Sequence, residues 1–139
     1  MQSLPTVLLH HTTRTGSHYD WLLTDPRDPQ GKLWTARCEL PSEHWLGAGR
    51  LALEPIQPHR RVYLTYQGPI TGGRGSVQRI DEGTFVPRLW TQSRIVIELN
   101  FQHCVAEIEM TRITTDRWQA EVRGKEMEVA EPREAGKVA

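Results

Sequence analysis

Residues 17–24, with the sequence SHYDWLLT, carry the residue types whose chemistry is clearest. In a strand, side chains two residues apart share a face, so His18 and Asp20 would point to one side of the sheet. Tyr19, Trp21 and Leu23 would point to the other side and belong to a core. An imidazole beside a carboxylate on a rigid element is suited to metal binding or to proton transfer.

Two more histidines, His10 and His11, end the preceding apolar run and are separated from this segment by the short loop 12–17. A hairpin would bring one of them beside His18. Two imidazoles and one carboxylate with open positions suit a divalent transition metal such as Mn²⁺ or Zn²⁺. Adjacent strand residues face opposite ways, so at most one of the pair is a ligand. From spacing alone, the alternative is that His18 and Asp20 form a solvated pair on an exposed sheet face.

A second polar group begins at His59, in the run H-R-R-V-Y. If a strand begins there, His59, Arg61 and Tyr63 share one face, and a basic, hydrogen-bonding trio of this kind suits a phosphate. The glycine-rich run 67–75 that follows lacks the strand-to-helix transition of a Walker or dinucleotide-binding loop. Viewed alone, it predicts a wide turn between two strands.

Short runs of strand type must position these groups. The predicted strands are 7–11, 17–24, 33–38, 50–54, 61–66, 76–80, 94–99, 104–110 and 117–122. The breaks between them carry turn chemistry, including Asp81-Glu82-Gly83, and 42–47 predicts one helical turn. We therefore expect an all-β fold, a compact antiparallel β-barrel with little helix, over 1–125. The charged stretch 126–139 has no periodicity and predicts a disordered tail.

The 139 residues contain 17 Lys and Arg against 17 Asp and Glu. Zero net charge argues against a protein that coats nucleic acid, because non-specific affinity comes from surplus cations. Residues 59–80 nevertheless contain four arginines and no acidic residue, which is compatible with a local, end-specific grip. The cysteines, Cys38 and Cys104, make no motif and predict reduced thiols. Without a signal-type N-terminus or a membrane-length apolar stretch, we expect a cytoplasmic protein.

The ordered motifs resemble the 3′-phosphoesterase domain at the N-terminus of bacterial DNA ligase D. The family's first block, H-x5-H-Y-D-F-R-L-E, is similar to His11-x6-His18-Tyr19-Asp20-Trp21-Leu22-Leu23. Its second block, G-x-L-x-S-W-A-x-P-x-G-P-S, resembles Gly31-Lys32-Leu33-Trp34-Thr35-Ala36 running to Leu40-Pro41-Ser42. The third resembles Arg50-Leu51-Ala52-Leu53, then His59-x3-Tyr63-x2-Tyr66-Gln67-Gly68-Pro69-Ile70 to Gly75, and Gly83-Thr84-Phe85. Order and spacing hold from about residue 6 to 123.

The resemblance implies a Mn²⁺-dependent hydrolase of DNA repair that removes a 3′-terminal ribonucleoside and then the remaining 3′-phosphate. Carried over, the metal ligands are His11, His18 and Asp20. His59 and Tyr63 are the implied catalytic residues, with His59 and Arg61 at the phosphate. The implied partner is the 3′ end of DNA or of an RNA–DNA primer, with repair ligase or polymerase proteins in trans. We expect a monomer that does not bind membranes.

Two departures from the family pattern bear on activity. The family's phosphate-clamping arginine corresponds to Leu22, and Arg14, Arg61 and Arg74 are the candidates to replace it. The family spacing also places the first histidine at position 12, which is Thr12 here, so His11 as the ligand requires a one-residue insertion in the loop. His10 remains the alternative ligand. Leu22 favours a second interpretation, a degenerate member that binds metal, nucleic acid or a protein without catalysis. A β-barrel without metal is the third.

Overall fold

A computed structural model describes residues 2–125, and its strands follow the alternation of the sequence. In the run RIVIEL, for example, Ile95, Ile97 and Leu99 are all buried and the residues between them face outward. The nine strands are β1 (Leu4–Thr13), β2 (Gly16–Thr24), β3 (Leu33–Cys38), β4 (Arg50–His59), β5 (Gly68–Pro69), β6 (Ser76–Trp90), β7 (Arg94–Phe101), β8 (Val105–Thr114) and β9 (Arg117–Gly124). The predicted tail, 126–139, lies outside the described residues.

All pairings between these strands are antiparallel. The sheet runs in the order β1-β2-β3-β4-β9-β8-β7-β6-β5, and β6 also pairs with β1. This last pairing closes eight of the strands into a barrel, while the two-residue β5 adds only a short contact to the start of β6. The prediction of an all-β, antiparallel barrel is confirmed.

A short helical segment packs against strands β4 and β9. It consists of a 3-10 turn, Ser42–His44, followed by α1 (Trp45–Ala48). The Trp45 ring is fully buried, 4.8 Å from the Trp21 ring centroid, and its Nε1–H donates to the Leu40 carbonyl at 2.9 Å. The predicted helical turn is confirmed, and no helix in the described part of the chain is long and apolar enough to cross a membrane.

The barrel wall has a second core on its outer face. Five apolar side chains there are buried although they point away from the barrel interior: Val7, Leu9, Leu22, Leu33 and Val77. Residues 60–75, which we call the covering segment, lie over them and pack Tyr63, Leu64, Tyr66 and Ile70 against them. Strands β1, β2 and β3 are therefore buried on both faces where the apolar part of the segment covers them. Farther along β1 and β2, the outward side chains are polar.

The prediction of a strand over 61–66 is wrong. Arg61–Leu64 form a 3-10 turn, in which the Tyr63 amide donates to the Arg60 carbonyl at 3.1 Å. Strand alternation would place Val62 on the same side as Leu64, but Val62 is 51% exposed. A turn instead brings Tyr63 and Tyr66, three residues apart, onto the second core together.

The predicted turn at 81–83 is also wrong, because β6 continues through it to Trp90. Gly83 permits this continuation, since a Cβ at that position would lie 1.9 Å from the Asn100 carbonyl oxygen of β7. Asp81 stays in the barrel wall as a buried residue. Glycine here serves the close approach of two strands rather than a chain reversal.

Candidate metal centre and adjoining cleft

The hairpin of β1 and β2 brings the first set of candidate ligands together. His11 pairs directly with His18 across the hairpin, and Asp20 lies two residues along β2 on the same outer face. His11 Nδ1 is 3.2 Å from His18 Nε2 and 3.5 Å from Asp20 Oδ2, and His18 Nε2 is 3.3 Å from Asp20 Oδ1. The three side chains form a possible metal-binding cluster, with ligand atoms all within 4.8 Å of one another.

His10 lies on the opposite face of β1 from this cluster. Its ring stacks on Tyr19, with centroids 4.8 Å apart, on the side of the sheet that faces the barrel interior. The alternation of β1 therefore separates the two neighbouring histidines, and the structure places His11 in the cluster.

A hydrogen bond from the covering segment orients the His11 ring. His11 Nε2 lies 2.8 Å from the carbonyl oxygen of Arg74, an acceptor, so this nitrogen carries the proton. Nδ1, the other ring nitrogen, then presents a lone pair to His18 and Asp20. Histidines that bind metals commonly use their second nitrogen in this way, which fixes the tautomer and the ring orientation.

Asp20 is 1% exposed, so it is not part of a solvated pair. Its Oδ1 atom is buried and, although His18 Nε2 lies 3.3 Å away, it accepts no well-aligned hydrogen bond from residues 2–125. A buried carboxylate oxygen without a partner is costly, and a metal ion is one group that could satisfy it. The chemistry of these three donors is compatible with a metal ion.

The electrostatics of His18 favour its neutral form. Burial lowers the pKa of His18 below its ordinary value of 6.5, Asp20 opposes this shift, and the positive charge of Arg37 together with His11 reinforces it. A neutral imidazole is the form that binds a metal ion. Near neutral pH, His18 is therefore in the neutral form that can bind a metal ion.

His59 approaches the cluster from the end of β4. Its backbone N–H donates to the Thr35 hydroxyl at 3.3 Å, where the pairing of β3 with β4 is irregular. Its Nδ1 lies 3.0 Å from the Gln57 carbonyl oxygen and donates to it, so Nε2 is directed at Asp20, 3.9 Å from Oδ2. The Tyr63 ring packs edge-on against the imidazole, with centroids 5.6 Å apart.

A cleft of about 390 Å³ opens beside the cluster. His11, Asp20, His59 and Tyr63 line it, and its volume lies within the range typical of small-ligand sites. Four cationic side chains also line it: Lys32, Arg37, Arg60 and Arg74. With Asp20 as the single carboxylate among the lining residues, the cleft is suited to an anion.

The candidate replacements for the family's phosphate-clamping arginine lie at different distances from the cleft. Leu22 is fully buried in the second core, and Arg14 is exposed in the β1–β2 turn. Arg74 lines the cleft, whereas Arg61 is not among the lining residues. The phosphate-binding role of Arg61 stays a prediction.

Arg37 was missed by the sequence interpretation. It pairs with Asp20 across the β2–β3 ladder and therefore lies beside the cluster. Its position on the outer face of β3 follows from alternation, but the register between β2 and β3 could not be read across the 25–32 loop.

No protein-family model matches the chain, and a search of curated proteins finds no match to it.

Proposed function

We propose that this chain is a metal-dependent phosphoesterase, with Mn²⁺ as its metal, that hydrolyses a 3′-phosphate or 3′-ribonucleotide phosphoester at nucleic-acid ends. The observation that carries the proposal is a transition-metal donor set at the edge of a cleft lined by four cations. The motif resemblance to the DNA ligase D phosphoesterase domain supports the substrate class.

The residues of the site have distinct roles in this proposal. His11, His18 and Asp20 would hold the metal ion, and a metal bound there would supply Lewis-acid polarisation of a phosphoryl oxygen. The cations of the cleft neutralise the charge of the phosphate. His59, whose Nδ1–H is committed to Gln57, directs Nε2 into the cleft and, when protonated, donates to the leaving oxygen. Tyr63 lines the cleft and keeps the imidazole in place through their edge-on contact.

A comparison of two adjacent histidines tests the metal assignment. We expect His11→Ala and His18→Ala to weaken Mn²⁺ binding by more than about 10²-fold, because each removes a donor atom. His10→Ala is the matched control and should bind Mn²⁺ within about threefold of the wild type, since its ring faces the barrel interior. Isothermal titration calorimetry measures the affinities. Equal losses in His10→Ala and His11→Ala would contradict the assignment.

Turnover is tested on a primer that ends in a 3′-phosphate and on one that ends in a single ribonucleotide. We expect phosphate release that requires Mn²⁺ and that falls by about 10²-fold or more in His59→Ala, with Mn²⁺ affinity retained. His44→Ala, at an exposed histidine away from the cleft, should keep full turnover. Metal binding without turnover of either primer would instead favour the non-catalytic binder that the leucine at position 22 suggests.

A further inference from the structure

We infer that Arg37 is the residue that binds the phosphoryl group in the cleft, and that its Nε–H donates to a phosphoryl oxygen held beside the metal cluster. The inference rests on the proposed function only in taking a phosphate as the ligand. It adds a specific anion-binding residue that the motif resemblance does not supply.

The first support is the unsatisfied state of the guanidinium. Arg37 Nε is buried and has no hydrogen-bond partner within the described part of the chain, although the side chain as a whole is 41% exposed. Asp20 Oδ1, also buried and unpartnered, lies 4.0 Å from this nitrogen, which is too far for a hydrogen bond. The two atoms need different partners: the Asp20 oxygen, an acceptor, can be satisfied by a cation such as the metal ion, whereas Arg37 Nε–H, a donor, needs an acceptor such as an anion oxygen.

The second support is the position of Arg37 between the cluster and the open surface. Arg37 lies opposite Asp20 in the β2–β3 register, so the backbone of two central strands fixes its distance from the cluster. It lines the 390 Å³ cleft and also a second, wider groove that passes His18 on the other side. An arginine at this junction can hold an anion through two parallel N–H donors, a geometry that matches phosphate oxygens.

The competing explanation is that Arg37 only compensates the buried charge of Asp20. A counter-ion of that kind normally makes close, hydrogen-bonded contact with its partner, and the 4.0 Å separation does not provide it. The two explanations make opposite predictions for binding. Loss of a counter-ion would leave phosphate affinity unchanged, whereas loss of an anion ligand would weaken phosphate binding and spare the metal.

The test measures the dissociation constant of inorganic phosphate by calorimetry, with and without Mn²⁺, and that of Mn²⁺ alone. We expect Arg37→Gln to weaken phosphate binding by about 10- to 10²-fold and to leave Mn²⁺ affinity unchanged or higher. Arg37→Lys retains the charge but loses the fork of donors, so an intermediate loss is expected. Circular dichroism shows that each variant is folded before it is compared.

A control variant separates directed binding from general attraction. Arg112→Gln removes a cation from the exposed part of β8, at a residue that does not line the cleft. It should change phosphate affinity by less than about threefold, because a solvated charge contributes little through water. An effect of Arg37→Gln no larger than that of Arg112→Gln would overturn the inference, as would the absence of measurable phosphate binding to the wild type.

The outcome does not depend on turnover. Phosphate binding that requires Arg37, in a protein that hydrolyses neither primer, would support the inference while the proposed activity fails. Primer hydrolysis that persists unchanged in Arg37→Gln would support the activity and overturn the inference.

Discussion

Two buried aspartates show at the level of single residues how a structural carboxylate differs from a candidate ligand. Asp81 is 2% exposed and accepts four hydrogen bonds: from the Ser42 hydroxyl at 2.5 Å and from the amides of Glu82, Gln102 and His103 at 2.9, 2.8 and 3.1 Å. Asp20 is equally buried, yet its Oδ1 has no hydrogen-bond partner within residues 2–125. Burial alone therefore does not mark a functional carboxylate; an unsatisfied oxygen beside two imidazoles does.

The bonds to Asp81 predict a stability effect that is independent of the metal cluster. Ser42→Ala removes one donor from a buried carboxylate, which should lower the free energy of unfolding by about 1–3 kcal/mol. Urea denaturation measures this change. Ser93→Ala, at an exposed serine, should change the stability by less than about 0.5 kcal/mol. Mn²⁺ affinity should stay the same in both, and a large loss of it in Ser42→Ala would contradict the separation of the two carboxylates.

At the level of elements, the candidate site depends on the close approach of the covering segment to β1. Gly75 has a φ of +88°, and a Cβ there would lie 1.9 Å from the Thr12 carbonyl oxygen. The residue before it, Arg74, provides the carbonyl that orients the His11 ring. The covering segment can therefore approach the cluster this closely only because residue 75 has no side chain.

A pair of glycine substitutions tests this dependence. Gly73 also has a positive φ, +70°, but a Cβ there would meet nothing within 4 Å, so Gly73→Ala costs only the backbone strain, about 1 kcal/mol. Gly75→Ala adds a clash with the backbone of β1 and should displace the Arg74 carbonyl from His11. We expect Mn²⁺ affinity to fall by about 10- to 10²-fold in Gly75→Ala and by less than about threefold in Gly73→Ala. Equal affinities, measured by calorimetry, would show that the carbonyl does not matter.

At the level of the whole molecule, the charged side chains of the described residues are divided between two surfaces. Strands β6 to β9 carry ion pairs on their outer face, in which Arg94 and Arg123 both contact Glu109, and Arg88 and Lys125 both contact Glu98. The cleft cations Lys32, Arg60 and Arg74, by contrast, have no carboxylate within 4.0 Å in the part of the chain that the structure describes. A neutral protein can therefore present a local anion-binding surface.

The closed barrel also predicts the reactivity of the thiols. Cys38 and Cys104 are both buried and unpaired in the inner core. Burial raises the pKa of Cys38 to about 12 and that of Cys104 to about 11. At pH 8 such a thiol is ionised to about one part in 10³ to 10⁴, and the thiolate is the reactive form. We expect both to react with a thiol reagent only as the barrel unfolds, at one common rate.

The same shifts predict a loss of stability at high pH. In the unfolded chain these thiols ionise near their ordinary value of 9.0, so the folded state holds more protons between about pH 9 and 12. The contribution of the two thiols to the free energy of unfolding is therefore complete below pH 9 and declines as the pH rises through that window. A thiol that reacts at pH 8 well before the loss of circular dichroism would contradict the closed barrel.

The local pattern of the sequence was sufficient to predict the fold class and the histidine–aspartate cluster, but not the cleft beside that cluster. Alternation in SHYDWLLT assigned His18 and Asp20 to one face, and the short loop to the preceding strand predicted that one of His10 and His11 would join them. These inferences succeed because alternation and hairpin pairing act over a few residues. The same reasoning failed for 61–66, where RVYLTY has apolar residues that fit both a strand and a turn.

What the sequence by itself determined, then, is an antiparallel barrel and the identity of the local donor set around His18. Tertiary structure alone decided that Leu22 belongs to a second core and that Arg37 faces Asp20, whereas the motif resemblance had already implied His11 as the third member of the cluster. The physical reason is that the register between β2 and β3, and the position of the covering segment, are set by packing between residues far apart in the chain. No local preference encodes such distances, so the cleft becomes visible only when the barrel has closed.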